Sequence, residues 1–230
     1  MDNIIQKEEY SYDEIMENLK NVSSDDFIKV FSILDLELLK NQNDAHIFIN
    51  HLTNHPNPIR EVVALKLEEL DVKYFLDEFS LSKLEDALID INPNVCRAVC
   101  SFIDKNNSIK QLLSKRIIDK TLNHLKSITQ EEIKGNDKSH AKNKKIFSLY
   151  WLLEAISNFD IQKDNSKVLE ILKTAVKFKD YTIREKTAKI LAKMENPPIE
   201  LLKSATIDTN FYVNFYIKNN IYDNIIKETV

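Results

Sequence analysis

The chain has 230 residues, 43% of them hydrophobic and 30% charged, which supplies enough apolar material for a sizeable core. It holds a single glycine, Gly135. That count excludes glycine-rich phosphate loops, nucleophile elbows and dinucleotide fingerprints, all of which need backbone at positive φ or in close approach to a ligand.

The net charge of −4 conceals an asymmetry: residues 1–100 hold 9 Lys/Arg against 20 Asp/Glu, and residues 101–230 hold 23 against 16. In an elongated molecule these halves stay apart and polarise it along its axis. Cys96 and Cys100 are four apart in a helical segment and read as buried thiols of a reducing compartment. The first residues lack a basic region followed by an apolar stretch, and no apolar run approaches the ~18 residues of a membrane span. The expectation is a cytoplasmic protein with no membrane partner.

In chain order, Ser11–Val22 and Asp25–Leu34 read as two helical segments, the second opening after the capping cluster Ser23-Ser24-Asp25. Amphipathic segments then precede three turns. Asp44–Thr53 precedes Asn54-His55-Pro56-Asn57-Pro58, Ser82–Ile91 precedes Asn92-Pro93-Asn94, and Ser166–Phe178 precedes Lys179-Asp180-Tyr181-Thr182. Each turn suits the start of a helix, with proline where no N–H is needed and Asn, Asp or Thr to cap free N–H groups.

The segments after these turns repeat. Ile59-Arg60-Glu61-Val62-Val63-Ala64-Leu65-Lys66-Leu67 and Ile183-Arg184-Glu185-Lys186-Thr187-Ala188-Lys189-Ile190-Leu191 share Ile-Arg-Glu-x-x-Ala-x-x-Leu. A weaker copy runs from Val95 to Ile103, with Cys96 in the arginine position and Cys100 in that of the small residue. The starts at 59, 95 and 183 place a missing copy near the apolar segment Ile146–Phe159. Thr129–Asn143 reads as the longest irregular stretch. Pro197 and Pro198 open a short helix through Ala205, and Asp208-Thr209-Asn210 caps a last helix bearing Phe211, Val213, Phe215, Tyr216 and Ile217.

This recurrence of helix, tight turn and helix resembles the HEAT-repeat family, whose second helices typically open with Val-Arg, a small residue and a leucine. The resemblance implies an all-α fold, a right-handed superhelix (α-α solenoid) of helical hairpins with the second helices on the concave side. It divides one domain, 1–230, into an N-terminal cap (1–43), repeats (44–195) and a C-terminal cap (196–230). It brings no chemistry with it.

Candidate sites divide by residue type. His51 and His55 have a spacing that suits one metal ion, and His46 lies in the same hairpin, but no third ligand presents itself, so they read as surface or capping histidines. Arg60 and Arg184 read as bridges to neighbouring turns. Tyr150 and Trp151 belong to a helix apolar on more than one face, and read as core. Lys134, Lys138, Lys142, Lys144 and Lys145 cluster around the expected loop, and Lys186, Lys189 and Lys193 follow helical spacing on one stripe. With the aromatic pair Phe211 and Tyr216, that stripe is the expected partner-binding surface. No nucleophile, base and orienting group stand together, and no catalytic residue, cofactor site or metal site is assigned.

The leading functional expectation is a non-enzymatic scaffold that holds an acidic or helical segment of another protein on its concave face. Two alternatives follow from the resemblance: a nucleic-acid-binding protein of the HEAT-like alkylation-repair glycosylase type, and a HEAT-like lyase or chaperone handling bilin pigments on phycobiliproteins.

Overall fold

A computed structural model describes residues 11–21, 36, 39–133, 139–160 and 165–220. Among the described residues every regular element is helical. Helix α1 (Tyr12–Lys20) starts in a capping box, in which Ser11 Oγ accepts from the Glu14 backbone and the Glu14 carboxylate accepts from the Ser11 backbone at 2.8 Å. It buries Ile15, Met16 and Leu19. Helix α2 (Gln42–Asn50) is capped by Asn41 and tied to α1 by the Tyr12 hydroxyl, which donates to buried Asp44 at 3.0 Å.

Helix α3 (Asn57–Leu65) starts at Pro56 and Pro58 and gives way to two 3-10 turns, Leu67–Glu69 and Val72–Phe75. Helix α4 (Glu78–Ala87) is capped by Asp77, and helix α5 (Pro93–Lys105) by Asn92 with Pro93 at its first position. Then come two long helices, α6 (Asn107–Ile133) and α7 (Ser139–Ile156). Helix α8 (Ser166–Ala175) is capped by Asn165 and helix α9 (Tyr181–Lys193) by Asp180. Helix α10 (Ile199–Thr206) follows Pro198, and α11 (Phe211–Asn220) completes the order.

The principal contacts join helices that are neighbours in the chain or one hairpin apart. They arrange most of the helices in two rows. In the first, α1 packs on α2, α2 on α4, α4 on α6 and α6 on α8. In the second, α3 packs on α5, α5 on α7, α7 on α9 and α9 on α11, while α10 pairs with both α9 and α11. A continuous core runs between the rows, from Ile15 and Phe48 through Phe75, Phe102, Leu113 and Leu152 to Ile190, Val213 and Ile217. Helix α7 occupies the second-row place between α5 and α9, where the spacing of the copies asks for one more helix.

The expected irregular stretch Thr129–Asn143 is corrected: α6 runs to Ile133 and α7 begins at Ser139. The apolar face of α6, with Ile109, Leu113, Ile117, Leu125 and Ile128 all buried at near-fourfold spacing, carries the helix past the point where polar residues take over the sequence. Gly135, Lys134, Lys138, Tyr222 and the expected helix Asp25–Leu34 lie outside the described residues.

The opposite charges of the two halves also meet. On the first row, Arg116 of α6 pairs with Glu78 and Glu85 of α4 at 2.8 Å each, and Lys120 pairs with Glu85 at 3.0 Å and Asp86 at 3.2 Å. Lys167 of α8 pairs with Asp119 of α6, and Lys126 of α6 with Glu170 of α8 at 3.2 Å. Part of the asymmetry is therefore neutralised locally, where acidic α4 lies against basic α6. The long α6 acts as a splint, meeting α4 around residues 116–120 and α8 around 119–126.

Candidate functional site

The repeated arginines fix the joints between successive hairpins. Arg60 holds Asp90 with Nε at 2.7 Å and Nη2 at 2.9 Å, while Asp90 Oδ1 accepts from the Asn92 backbone at 2.7 Å. Arg184 holds Asp208 with Nε at 2.6 Å and Nη2 at 3.2 Å, while Asp208 Oδ1 accepts from the Asn210 backbone at 2.8 Å. Each guanidinium also donates to carbonyls of the turn before its own helix: His55 for Arg60, and Phe178 and Lys179 for Arg184. Such two-pronged pairing is what the planar guanidinium does best. Hydrogen bonds from Arg184 hold the Asp208 carboxyl below the usual range, against the opposing effect of burial. These arginines are structural.

The same register locates two further copies. Cys96 Sγ lies 3.1 Å from the Asp90 carbonyl and Asn214 Nδ2 3.2 Å from the Asp208 carbonyl, each six residues upstream, as Phe178 is from Arg184. Val213-Asn214 of α11 is thus the counterpart of Ile183-Arg184. Asparagine in place of arginine kept that relationship out of the sequence comparison.

Two lysines of the stripe, Lys186 and Lys189, are turned inward, while Lys193 stays exposed. Lys186 is 6% exposed, pairs with Glu154 of α7 at 2.9 Å and sits 4.5 Å above the Tyr150 ring. Lys189 reaches the other Glu154 oxygen at 2.5 Å. Lys193 donates to the Ser157 carbonyl at 2.8 Å and to Asn158 Oδ1 at 3.1 Å, satisfying acceptors at the C-terminal end of α7. Burial opposes charge on both Glu154 and Lys186. Hydrogen bonds from Lys189 and Lys186 outweigh it and lower the Glu154 pKa, and Tyr150 and Glu154 outweigh it and raise that of Lys186. Burial and the neighbouring Lys189 charge lower that of Lys193. The expected exposed stripe is corrected at Lys186 and Lys189, which one carboxylate from α7 draws into a seam between α7 and α9, while Lys193 stays exposed.

The histidines do not converge. His46 Nε2 is 2.9 Å from Asp77 Oδ2, whereas His51 Nε2 is 2.5 Å from the Leu19 carbonyl, and the His51 and His55 rings lie 4.3 Å apart. Burial pushes His51 down to about 4, with the His55 charge adding to the effect. Cys96 and Cys100 are both buried free thiols, each pushed up to about 12 by burial, which makes them poor nucleophiles.

Two accessible features remain on the second row. A groove of about 470 Å³ opens between α3 and α5. Its floor is Ala64 and Ala98, with Leu65 64% exposed, and Glu61, Glu68, Asn94 and Arg97 stand around it. The groove exists because α3 stops at Leu65 and because Ala98 and Ser101 are too small to fill the space beside it. Both Glu61 oxygens are fixed at 2.9 Å by the side-chain amides of Asn92 and Asn94, and Arg97 donates to Asn94 at 3.0 Å. The second feature is α11, where Phe211 is 64% exposed, Tyr212 58% and Phe215 45%, while Tyr216 packs against the core. Of the expected aromatic pair, Phe211 is exposed and Tyr216 packs against the core, and the groove has no local signal in the sequence because it depends on two helices whose starts lie 36 residues apart. No protein-family model matches the chain, and no curated protein matches it.

Proposed function

We propose that the chain is a HEAT-like stack of helical hairpins that binds another protein on the face formed by its second-row helices, with the α3–α5 groove as the contact. The observation that carries this reading is the exposed Leu65 set in that groove between Glu61 and Glu68, beside Arg97. Apolar surface framed by preoriented polar groups is the usual composition of a recognition site. The fitting occupant is a helical or extended segment that lays an apolar side chain on Leu65 and offers donors to the Glu61 carboxylate. Support for the stacked arrangement comes from the two-row contacts and from the matching Arg60–Asp90 and Arg184–Asp208 joints. With Lys186 and Lys189 engaged by Glu154, the nucleic-acid reading loses the basic stripe that motivated it.

The test is affinity capture from the native host with the wild type and a Leu65→Glu, Arg97→Glu variant in parallel. Both residues are exposed, so folding is expected to be unaffected. A protein retained stoichiometrically by the wild type and lost by the variant is the expected result. Retention by both places the contact elsewhere, and nuclease-sensitive material or a bound pigment supports one of the alternative classes instead.

A further inference from the structure

A different surface, independent of the groove, points to self-association. The register set by Asn214 aligns α11 with the other second-row helices, so side chains can be compared position by position. Phe215 stands where Glu61, Arg97 and Glu185 stand, and Tyr212 where Pro58, Asn94 and Thr182 stand. Three other second-row helices, α3, α5 and α9, carry charge at the first position, and α11 carries an exposed ring. The ring stands on a helix at one end of the second row, whose second-row neighbour among the described residues is α9; α3, at the other end beside α5, keeps the charge of Glu61.

The rings form a single patch. Phe211 lies 5.6 Å from Tyr212 and 5.7 Å from Phe215, centroid to centroid, in the tilted and edge-on arrangements aromatic rings favour. Ile207, 81% exposed, lies in the turn leading into α11. None of these four side chains is charged, so the patch is complementary to itself; exposed Lys218, one turn beyond Phe215, stands at its edge.

We infer that α11 pairs with α11 of a second copy of this chain about a two-fold axis, which covers the aromatic patch that α9 and α10 leave exposed. Area decides the strength. Aromatic side chains offer about 150–250 Å² each, so the three rings at their exposures present roughly 300–400 Å² per copy. With Ile207 the two copies bury about 1,000 Å², at the lower edge of specific interfaces, which makes a weak, reversible dimer. Its strength depends on apolar area, so salt does not weaken it. A head-to-tail contact between the acidic half of one copy and the basic half of another behaves in the opposite way.

Sedimentation equilibrium of the full chain from about 1 to 500 µM, at 50 and 500 mM salt, tests this. The expected result is a monomer–dimer equilibrium whose dissociation constant changes less than about twofold with salt. Phe215→Glu and, separately, Tyr212→Lys are expected to leave only monomer, with far-UV circular dichroism unchanged, and Leu65→Glu is expected to leave the dimer intact. Tyr212→Lys guards against misfolding, since Tyr212 is 58% exposed and the equivalent sites in α5 and α9, Asn94 and Thr182, are already polar. A monomer across the whole range overturns the inference and assigns the patch to another part of the chain or to another protein. A dimer that survives both α11 variants, or one that dissociates in high salt, overturns it as well.

Discussion

Arg60 and Asp90 form a two-pronged ion pair that joins one helical hairpin to the next, with side-chain exposures of only 11% and 10%. Arg184 and Asp208 repeat it in the same second row, with the second arginine 124 residues after the first. In both cases the aspartate also caps the following turn. One residue therefore sets both the start of a helix and its placement against the previous one.

Breaking such a joint leaves a buried carboxylate without its counter-charge. Arg60→Ala is expected to cost about 3–5 kcal/mol, whereas Arg97→Ala, exposed on the next helix, is expected to change stability by no more than about 0.5 kcal/mol. Urea unfolding of the two variants measures the contrast. Equal effects mean that the Arg60 pair does not hold the hairpins together.

The α7–α9 seam makes a similar claim about Glu154. Glu154→Gln strands Lys186, whose side chain is 8% exposed, and is expected to cost about 2–4 kcal/mol. Adding Lys186→Met to Glu154→Gln is expected to recover part of that loss, because the buried charge goes with its partner. Strict additivity of the two changes in a double-mutant cycle contradicts the pairing.

Acid sensitivity follows from His51 and Glu154. The folded-state pKa of His51 falls to about 4 from an ordinary 6.5, so the unfolded chain binds the extra proton in between. Its contribution is complete above about pH 6.5 and is lost as the pH falls toward 4, up to about 2–3 kcal/mol. Glu154, also lowered, contributes above its unfolded value near 4.5 and loses that contribution as pH falls through its folded pKa. Unfolding free energy is therefore expected to decline from pH 7 to pH 4, first through His51 and then through Glu154. His51→Leu is expected to be less stable at pH 7 and to flatten the upper part of that slope. An unaltered slope in this variant assigns the acid sensitivity to other groups.

The closely packed positions supply a test of repeat equivalence. Ala64, Cys100 and Ala188 are all buried at the sixth position of their copies. Ala188→Phe and Ala64→Phe are each expected to destabilise by about 1–3 kcal/mol through overpacking. Thermal melts in which both variants match the wild type contradict the alignment.

How far the sequence carries depends on whether a feature is local. The turns before Ile59, Val95 and Ile183 declare themselves because capping and proline chemistry act within a few residues. Helix α6 has neither a proline nor the recurring signature, although Ile109, Leu113, Ile117, Leu125 and Ile128 mark its buried face plainly. The spacing of Lys186, Lys189 and Lys193 correctly shows that they share a face of α9, but spacing does not say what lies opposite. Glu154 settles that, from a helix 32 residues earlier whose neighbours are mostly apolar. The α3–α5 groove was hidden for the same reason, since the absence of bulk at Ala98 and Ser101 has meaning only once Leu65 stands beside them.

In the proposed arrangement the hairpins stack in two rows, so that each meets its neighbours and the molecule extends along the stack. Small-angle X-ray scattering of dilute protein, held monomeric by Tyr212→Lys, measures this most directly. Stacking predicts a radius of gyration well above the roughly 17 Å expected of a compact domain of this length, with a distance distribution tailing to long separations. A value near 17 Å with a symmetric distribution contradicts the stack, and with it the assignment of the second-row helices to one shared binding face.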